Sequence, residues 1–166
     1  MTSYIARLRL ILRRIKASSR GNSAIEFALT APILVALGFG AYDYGSAYVE
    51  GVRLSGAARA GVQQALYDAS TWQNASLIEQ TALEEYVGHP LTDAEIALLP
   101  VSASSLAFCA CPSEAELACS ATCPDGSFPG RFVQVRLNRS VPLTLPYPWA
   151  SADATPVTGE AVVRVR

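Results

Sequence analysis

The chain has 166 residues, of which 51% are hydrophobic and only 16% charged, a composition that excludes intrinsic disorder and is more apolar than that of an ordinary soluble enzyme. The formal net charge is -1, but six of the 13 basic residues lie before Asn22 among no acids, and the other 7 share the body with all 14 acids. An acidic body repels phosphate, which excludes a nucleic-acid binder built on the main domain. Residues 1–21 therefore form a basic leader of the kind that suggests a membrane address.

The first predicted element is an apolar run from Phe27 to Tyr42 that carries no charge and has Thr30 as its only polar side chain. As a helix it would span roughly 24 Å, slightly less than the hydrocarbon core of about 30 Å, and tyrosines at its end extend it to headgroup level. We interpret residues 27–42 as a transmembrane segment. The alternative is a signal-peptide core cut near Gly38-Phe39-Gly40, which would release a protein that begins near Ala41.

The leader also predicts the orientation of this segment. Basic residues before the run place the N-terminus in the cytoplasm by the positive-inside rule, so the chain beyond Asp43 is expected outside.

A carboxylate, Glu26, stands at the head of the apolar run, five residues after Gly21. The simplest interpretation is an acid that stays in the headgroup layer. If the chain were cut after Gly21, however, Glu26 would become the fifth residue of the product. It would then lie about one helical turn from a new α-amino group on Asn22, which could neutralise it or the Glu26 of a neighbouring subunit.

The stretch RGNSAIEFALTAPILVALGFGAYDYG, with Gly21, four residues, Glu26 and Phe27, resembles the processing site of Flp/Tad type IV prepilins and the start of a TadE-like minor pseudopilin. The resemblance implies cleavage between Gly21 and Asn22 by a membrane prepilin peptidase. It also implies a single-pass protein of the bacterial inner membrane, with its C-terminal domain in the periplasm or on a cell-surface pilus. The implied partners are other pilin and pseudopilin subunits and Tad assembly proteins. Asn22 stands where other type IV pilins commonly have Phe, which argues against a major pilin of another subclass.

A single long helix is predicted over residues 22–69. Beyond the apolar run it has a seam of mostly small residues at alternating spacings of three and four: Tyr44, Ala47, Gly51, Leu54, Ala58, Gly61 and Ala65. This seam could cover the protein's own globular part, contact another subunit, or do both. Four polar side chains lie off the seam and are predicted to face water or partners: Glu50, Arg53, Arg59 and Gln63.

Residues 70–166 are predicted to form a second domain. Asn74 caps a helix to Val87, and Thr92 with Glu95 forms a capping box for a short third helix. Strands are predicted over 101–108, 131–139 and 160–166. The expected fold class is α+β: a long N-terminal transmembrane helix that continues into a small helical and antiparallel β periplasmic domain, stapled by disulfides.

The disulfide prediction comes from a Cys-rich loop over residues 109–123, in which Cys109, Cys111, Cys119 and Cys123 have the pattern C-x-C-x7-C-x3-C. An even number of cysteines outside the membrane favours two disulfides. A zinc site is the alternative, although the loop has no C-x2-C pair and no nearby histidine. A Cys109–Cys111 bond would close a strained ring, so the other two connectivities are favoured and remain open.

No enzyme signature is found, and we predict no catalytic residue, metal or cofactor. His89, the only histidine, lies at a helix exit, and Glu84 and Glu85 fit a solvated helix face. The favoured hypothesis is a structural TadE-like minor pseudopilin that takes part in Flp/Tad pilus assembly and surface adherence. The alternatives are an uncleaved, membrane-anchored periplasmic binding or sensing module, and a secreted hydrolase, for which no catalytic constellation is present.

Overall fold

A computed structural model describes residues 19–67, 72–111, 116–144 and 154–165. The chain divides into two compact units, Met1–Asp43 and Tyr44–Arg166. Most of the predicted basic leader lies outside the described residues.

Helix α1 spans Ser19–Tyr67 and contributes to both units. It begins three residues before the predicted start, and the predicted end at residue 69 lies outside the described residues. Thr30 fits into its apolar part because its hydroxyl donates to the carbonyl of Glu26 at 3.0 Å, which satisfies the polar side chain within the helix. Pro32 lies inside the helix and removes one backbone donor.

Two shorter helices follow, both with the predicted caps. Helix α2 spans Ala75–Val87; the Asn74 side chain accepts from the N–H of Leu77 at 3.3 Å, and Gly88 ends the helix at φ 89°. The positive φ explains the glycine, because other residues rarely adopt this conformation. Helix α3 spans Asp93–Ile96, and its capping box holds the N–H of Thr92 at 2.8 Å from Glu95 Oε2.

The chain has four strands, which span Val101–Ala110 (β1), Glu116–Leu117 (β2), Gly130–Pro142 (β3) and Ala154–Val165 (β4). They form one antiparallel sheet in the order β2-β1-β3-β4. Strand β2 was not predicted, and β4 begins six residues before the predicted start. The α+β class with a long apolar helix and a small antiparallel sheet is confirmed.

The core of the second unit lies between α1, α2 and one face of the sheet. Val133, Val135 and Leu137 of β3 are fully buried, because alternate side chains of a strand point to the same face of the sheet. Of the predicted seam on α1, the part that is buried in this core consists of Leu54, Ala58, Gly61 and Ala65. The seam therefore covers the protein's own domain over this part, whereas Tyr44, at its start, is 77% exposed.

Gly61 shows why the side chains of the seam are small. A Cβ there would lie 3.0 Å from the Ala82 Cβ of α2 and 3.3 Å from a methyl group of Val135. A larger side chain would push α1 away from both neighbours.

The four cysteines form two disulfides, Cys109–Cys119 and Cys111–Cys123, which is one of the two connectivities left open by the sequence. The four sulfurs are thus bonded in pairs and not arranged as metal ligands. The short strand β2 pairs with the end of β1 inside this loop, where Cys109 lies opposite Leu117. A turn at Gly126, with φ 83°, closes the loop.

Candidate functional site

The predicted processing residues all lie on α1, within about 9 Å along its axis. Asn22 and Glu26 are four residues apart, which places them on the same side of a helix, one turn apart. Glu26 and Phe27 are exposed, and 69% of Phe27 is accessible. The scissile bond proposed by the resemblance, between Gly21 and Asn22, therefore lies in the first turn of a helix whose apolar part follows directly.

That apolar part is exposed in the isolated chain. Its large hydrophobic side chains are accessible to more than one third of their area: Phe27, Leu29, Ile33, Leu34, Val35, Leu37, Phe39 and Tyr42. In the described part of the chain, Ser23–Tyr67 is the one helix long and apolar enough to cross a membrane, with a mean hydropathy of 1.8 in its most apolar window. So large a continuous apolar surface requires lipid or another protein chain to cover it.

A polar cluster lies in the second unit, Tyr44–Arg166. It consists of Glu50 of α1, Tyr86 of α2 and Arg139 of β3. Glu50 Oε1 lies 2.8 Å from the Arg139 guanidinium and accepts a hydrogen bond from the Tyr86 hydroxyl. The guanidinium also lies 6.0 Å from the Tyr86 ring centroid. This cluster ties α1 to both α2 and β3.

The prediction that Glu50 faces water or partners is wrong. Only 7% of Glu50 is exposed, because it lies against α2 and β3 and its charge is balanced by Arg139. The other three side chains of that group, Arg53, Arg59 and Gln63, are exposed as predicted.

One sequence signal could have revealed the cluster. Arg139 continues the two-residue period of Val135 and Leu137, so it occupies a core-facing position of β3. A guanidinium at such a position requires a buried acid, and the acid could have been sought among the carboxylates of the helices.

The cluster shifts the pKa of its members. Burial alone would raise the pKa of the Glu50 carboxyl, but hydrogen bonds from Tyr86 and Arg139, with the Arg139 charge, lower it below its ordinary 4.5. Burial, followed by the hydrogen bond to Glu50, raises the pKa of the Tyr86 hydroxyl. The hydrogen bond to Glu50 raises the pKa of Arg139, which stays charged. The ionised carboxylate is thus the form that holds the three elements together.

We expect Glu50 to make the fold sensitive to acid. Because its folded pKa is lowered, the stability it contributes is fully present above about pH 4.5 and is lost as the pH falls through the folded value. The free energy of unfolding of the full-length protein in detergent should therefore decrease more steeply between about pH 6 and pH 3 than that of Glu50→Gln. At neutral pH, Glu50→Gln should be less stable by about 1.5 kcal/mol, the lower end for hydrogen bonds to a charged group, because Arg139 is partly exposed.

Glu85→Gln is the matched control, since Glu85 is an exposed glutamate on α2. The free energy of unfolding of this variant should fall with decreasing pH as steeply as that of the unsubstituted protein, because Glu50 is still present. Parallel pH profiles for Glu50→Gln and the unsubstituted protein would contradict the role given to Glu50.

A comparison with protein families gives a match over residues 21–63 to a family model described as TadE-like protein. The match begins at Gly21, includes the whole apolar run and ends inside α1. It confirms the resemblance found in the sequence. Neither a search of curated proteins nor one of solved structures found a match.

Proposed function

We propose that this chain is a structural minor pseudopilin of the TadE-like kind, made as a prepilin and used in the assembly of a Flp/Tad pilus for surface adherence. The observation that carries the proposal is the coincidence of two features on α1. The TadE-like match begins at Gly21, the glycine of the processing pattern, and covers an apolar surface that is exposed in the isolated chain. The match itself supports a pilus-associated component; the processing, the partners and the adherence belong to the proposal.

The proposed domains are the leader 1–21, a long helix 22–69 with its transmembrane segment at 27–42, and a periplasmic domain 70–166. In this topology the N-terminus is cytoplasmic and the protein crosses the bacterial inner membrane once. Two observations support it: a helix apolar enough to cross a membrane, and two disulfides, which persist in oxidising compartments such as the periplasm.

The proposed mechanism is packing and not catalysis. Gly21 determines where a prepilin peptidase cuts, and Asn22 becomes the new N-terminus. Lipid first covers the apolar surface of residues 27–42. During assembly this surface leaves the lipid and packs against pilin and pseudopilin subunits or Tad assembly proteins. Glu26 supplies the charge that pairs with a subunit α-amino group at the edge of this apolar surface.

The mature N-terminal residue tests the proposal. Protein purified from the membranes of a bacterium that carries a Tad system should begin at Asn22. A protein that begins at Met1 would instead support an uncleaved membrane-anchored binding or sensing module, and one that begins near Ala41 would support release by signal peptidase.

Glu26→Gln should separate processing from assembly. Glutamine keeps the size and the hydrogen-bonding capacity but removes the charge that an α-amino partner needs, so cleavage after Gly21 should continue. Recovery of pilin partners should fall by about 10-fold or more, as expected for the loss of about 1.5 to 3 kcal/mol from a hydrogen bond to a charged group. The measurement is the amount of partner that co-purifies from detergent-solubilised membranes.

Glu116→Gln provides the control, because Glu116 is an exposed glutamate far from α1 in sequence. It should leave both processing and partner recovery unchanged. Full partner recovery and normal piliation with Glu26→Gln would show that Glu26 is only an interfacial acid.

A further inference from the structure

The two disulfides differ in exposure. Cys111 and Cys123 are only 5% and 4% exposed, so the bond between them is buried on both sides. In the other bond Cys109 is 1% exposed, whereas Cys119 is exposed. Thiol–disulfide exchange begins with the attack of a thiolate on one sulfur, so its rate depends on access to that sulfur. Of the four cysteines, Cys119 is therefore the one that an external thiolate can reach.

The chain around Cys119 leaves this cysteine open to solvent. It lies in a turn after β2, which is closed by a hydrogen bond from the N–H of Ala121 to the carbonyl of Ala118 at 2.9 Å. Its two neighbours, Ala118 and Ser120, are small and are themselves exposed. A surface turn of this kind gives a partner protein room to bring its own thiol against the sulfur.

The other half of this bond has a positive charge beside it. Cys109 lies directly opposite Arg131 of β3, so the two side chains are on the same face of the sheet. The N–H of Ser105, four residues before Cys109, donates to Glu79 of α2 and thus faces away from β3. Because the backbone direction alternates along a strand, Cys109 and Arg131 form a pair without mutual hydrogen bonds, in which the Cα atoms are about 4.5 Å apart. A cation this close stabilises a thiolate.

The Arg131 guanidinium stays on this face, because it lies over the ring of Trp72, which packs against the core, at 5.6 Å from the ring centroid. Glu116, the acid of β2, lies opposite Ala110, so its side chain points to the other face of the sheet. The ladder between β1 and β3 ends at Ala110 and places no cation opposite Cys111. The two disulfides thus differ in charge as well as in exposure.

We propose that Cys109–Cys119 is a site of thiol–disulfide exchange with a dithiol protein of the C-x-x-C type, and that Cys111–Cys123 is the permanent cross-link of the loop. The partner's thiolate bonds to the Cys119 sulfur, and the electron pair of the Cys109–Cys119 bond leaves with the Cys109 sulfur, beside Arg131. The partner's second thiol then attacks the partner's own sulfur in the mixed disulfide and releases Cys119. The partner is oxidised to a disulfide, this chain is reduced at one bond, and two protons pass from the partner's thiols to the freed cysteines.

Exchange at this bond controls β2. The strand has only two residues, which pair with Cys109 and Ala110 of β1. Strands usually have three residues or more, so two pairs hold β2 weakly without the disulfide. Opening Cys109–Cys119 should therefore release β2 and expose the end of β1 for pairing with another strand, while the second disulfide keeps the loop closed. The exchange does not depend on where the mature chain begins.

Limited reduction tests which bond opens. The full-length protein in detergent is treated with reduced bacterial thioredoxin, a C-x-x-C dithiol protein, and free thiols are alkylated and located by peptide mass spectrometry. Cys109 and Cys119 should be alkylated at least about 10-fold faster than Cys111 and Cys123, as expected for an exposed disulfide beside a buried one. Equal rates for the two bonds, or faster opening of Cys111–Cys123, would overturn the proposal. Opening by dithiothreitol but not by thioredoxin would contradict a protein partner.

Reduced glutathione tests the direction of attack, because a monothiol forms a mixed disulfide and has no second thiol to resolve it. In samples with excess glutathione that are quenched with acid, glutathione should be attached to Cys119, and Cys109 should be the free thiol. Attachment mainly to Cys109 would show that the buried sulfur is the one attacked and would contradict the mechanism.

Substitution of Arg131 tests the charge. Arg131→Met keeps an unbranched side chain that can contact Trp72 but removes the cation, so opening of Cys109–Cys119 by thioredoxin should slow by about 3-fold or more. Arg131→Lys should keep the original rate. Arg164→Met is the matched control and should also leave the rate unchanged, because Arg164 is an exposed arginine on the other face of the sheet.

An unchanged near-ultraviolet circular dichroism spectrum would show that each variant retains the fold. A rate for Arg131→Met equal to that of the unsubstituted protein, or equal slowing by Arg164→Met, would remove the charge from the mechanism and contradict the proposal.

Hydrogen–deuterium exchange of the partly reduced protein tests the release of β2. The amides of residues 116–120 should exchange faster once Cys109–Cys119 is open, whereas β3 and β4 should keep their protection because their pairing is unchanged. Unchanged exchange at residues 116–120 would contradict the control of β2 by this bond, whatever the mature N-terminus proves to be.

Discussion

Gly159→Ala is expected to lower the free energy of unfolding by more than about 3 kcal/mol, above the usual range for an overpacked core side chain. A Cβ at this position would lie 2.3 Å from the carbonyl carbon of Leu54 and 2.4 Å from the backbone nitrogen of Ser55. These are backbone atoms of α1, so no rotamer change can relieve the clash. The helix would have to separate from β4, with loss of the burial of Leu54, which is fully buried. For a domain of ordinary stability, about 5 to 15 kcal/mol, this is a large fraction.

The measurement is denaturant unfolding of the full-length protein in detergent, followed by the near-ultraviolet signal of the globular unit. Gly56→Ala is the control. Gly56 lies on α1, the helix that Gly159 contacts, and nothing lies within 4 Å of the position its Cβ would take. That variant should be stabilised by up to about 1 kcal/mol through helix propensity. If Gly159→Ala were as stable as the unsubstituted protein, α1 and β4 could not approach each other as closely as the structure indicates.

This contact illustrates what the sequence could not predict. Gly159 and Pro156 are both disfavoured in strands, and the predicted strand begins only at residue 160. The strand tolerates them for reasons that depend on distant residues: α1 crosses at Gly159, and Pro156 lies on an outer edge. Neither reason is visible without the pairing of β4 with β3.

The helix ends, by contrast, were predictable because their causes are local. The Asn74 cap, the left-handed Gly88 and the capping box of Thr92 with Glu95 each depend on residues within one turn. Two disulfides could be predicted from the number of cysteines. The choice between the connectivities required β2, a strand of two residues that brings Cys119 back beside Cys109.

The candidate site divides in the same way. The processing pattern is contiguous, so the resemblance to prepilins could be found in the sequence, and the roles it implies for Gly21, Glu26 and Phe27 stay predictions. The Glu50 cluster joins residues 36 and 89 positions apart. Its acid was placed by helical periodicity on a water-facing side, because periodicity describes one helix and not what folds against it.

Gly21→Ala is expected to abolish leader removal while membrane insertion continues. In the structure Gly21 lies in the first turn of α1, next to the bond to Asn22 that the proposed peptidase cuts. Alanine adds a methyl group at the cut, where this peptidase is expected to need a residue without a side chain, and it favours the helix over glycine by about 1 kcal/mol. The apolar run of residues 27–42 is untouched, so the full-length precursor should accumulate in the membrane and no pilus should form.

Gly38→Ala is the control for this substitution, because it makes the same change in the same helix at a position where nothing lies within 4 Å. It should be processed to a protein that begins at Asn22, which mass spectrometry of the intact membrane protein would detect. The comparison separates the effect of a methyl group at the cut from a general increase in helix stability. Normal processing of Gly21→Ala would contradict the prepilin proposal, because the glycine would then have no role that an ordinary helix residue could not fill.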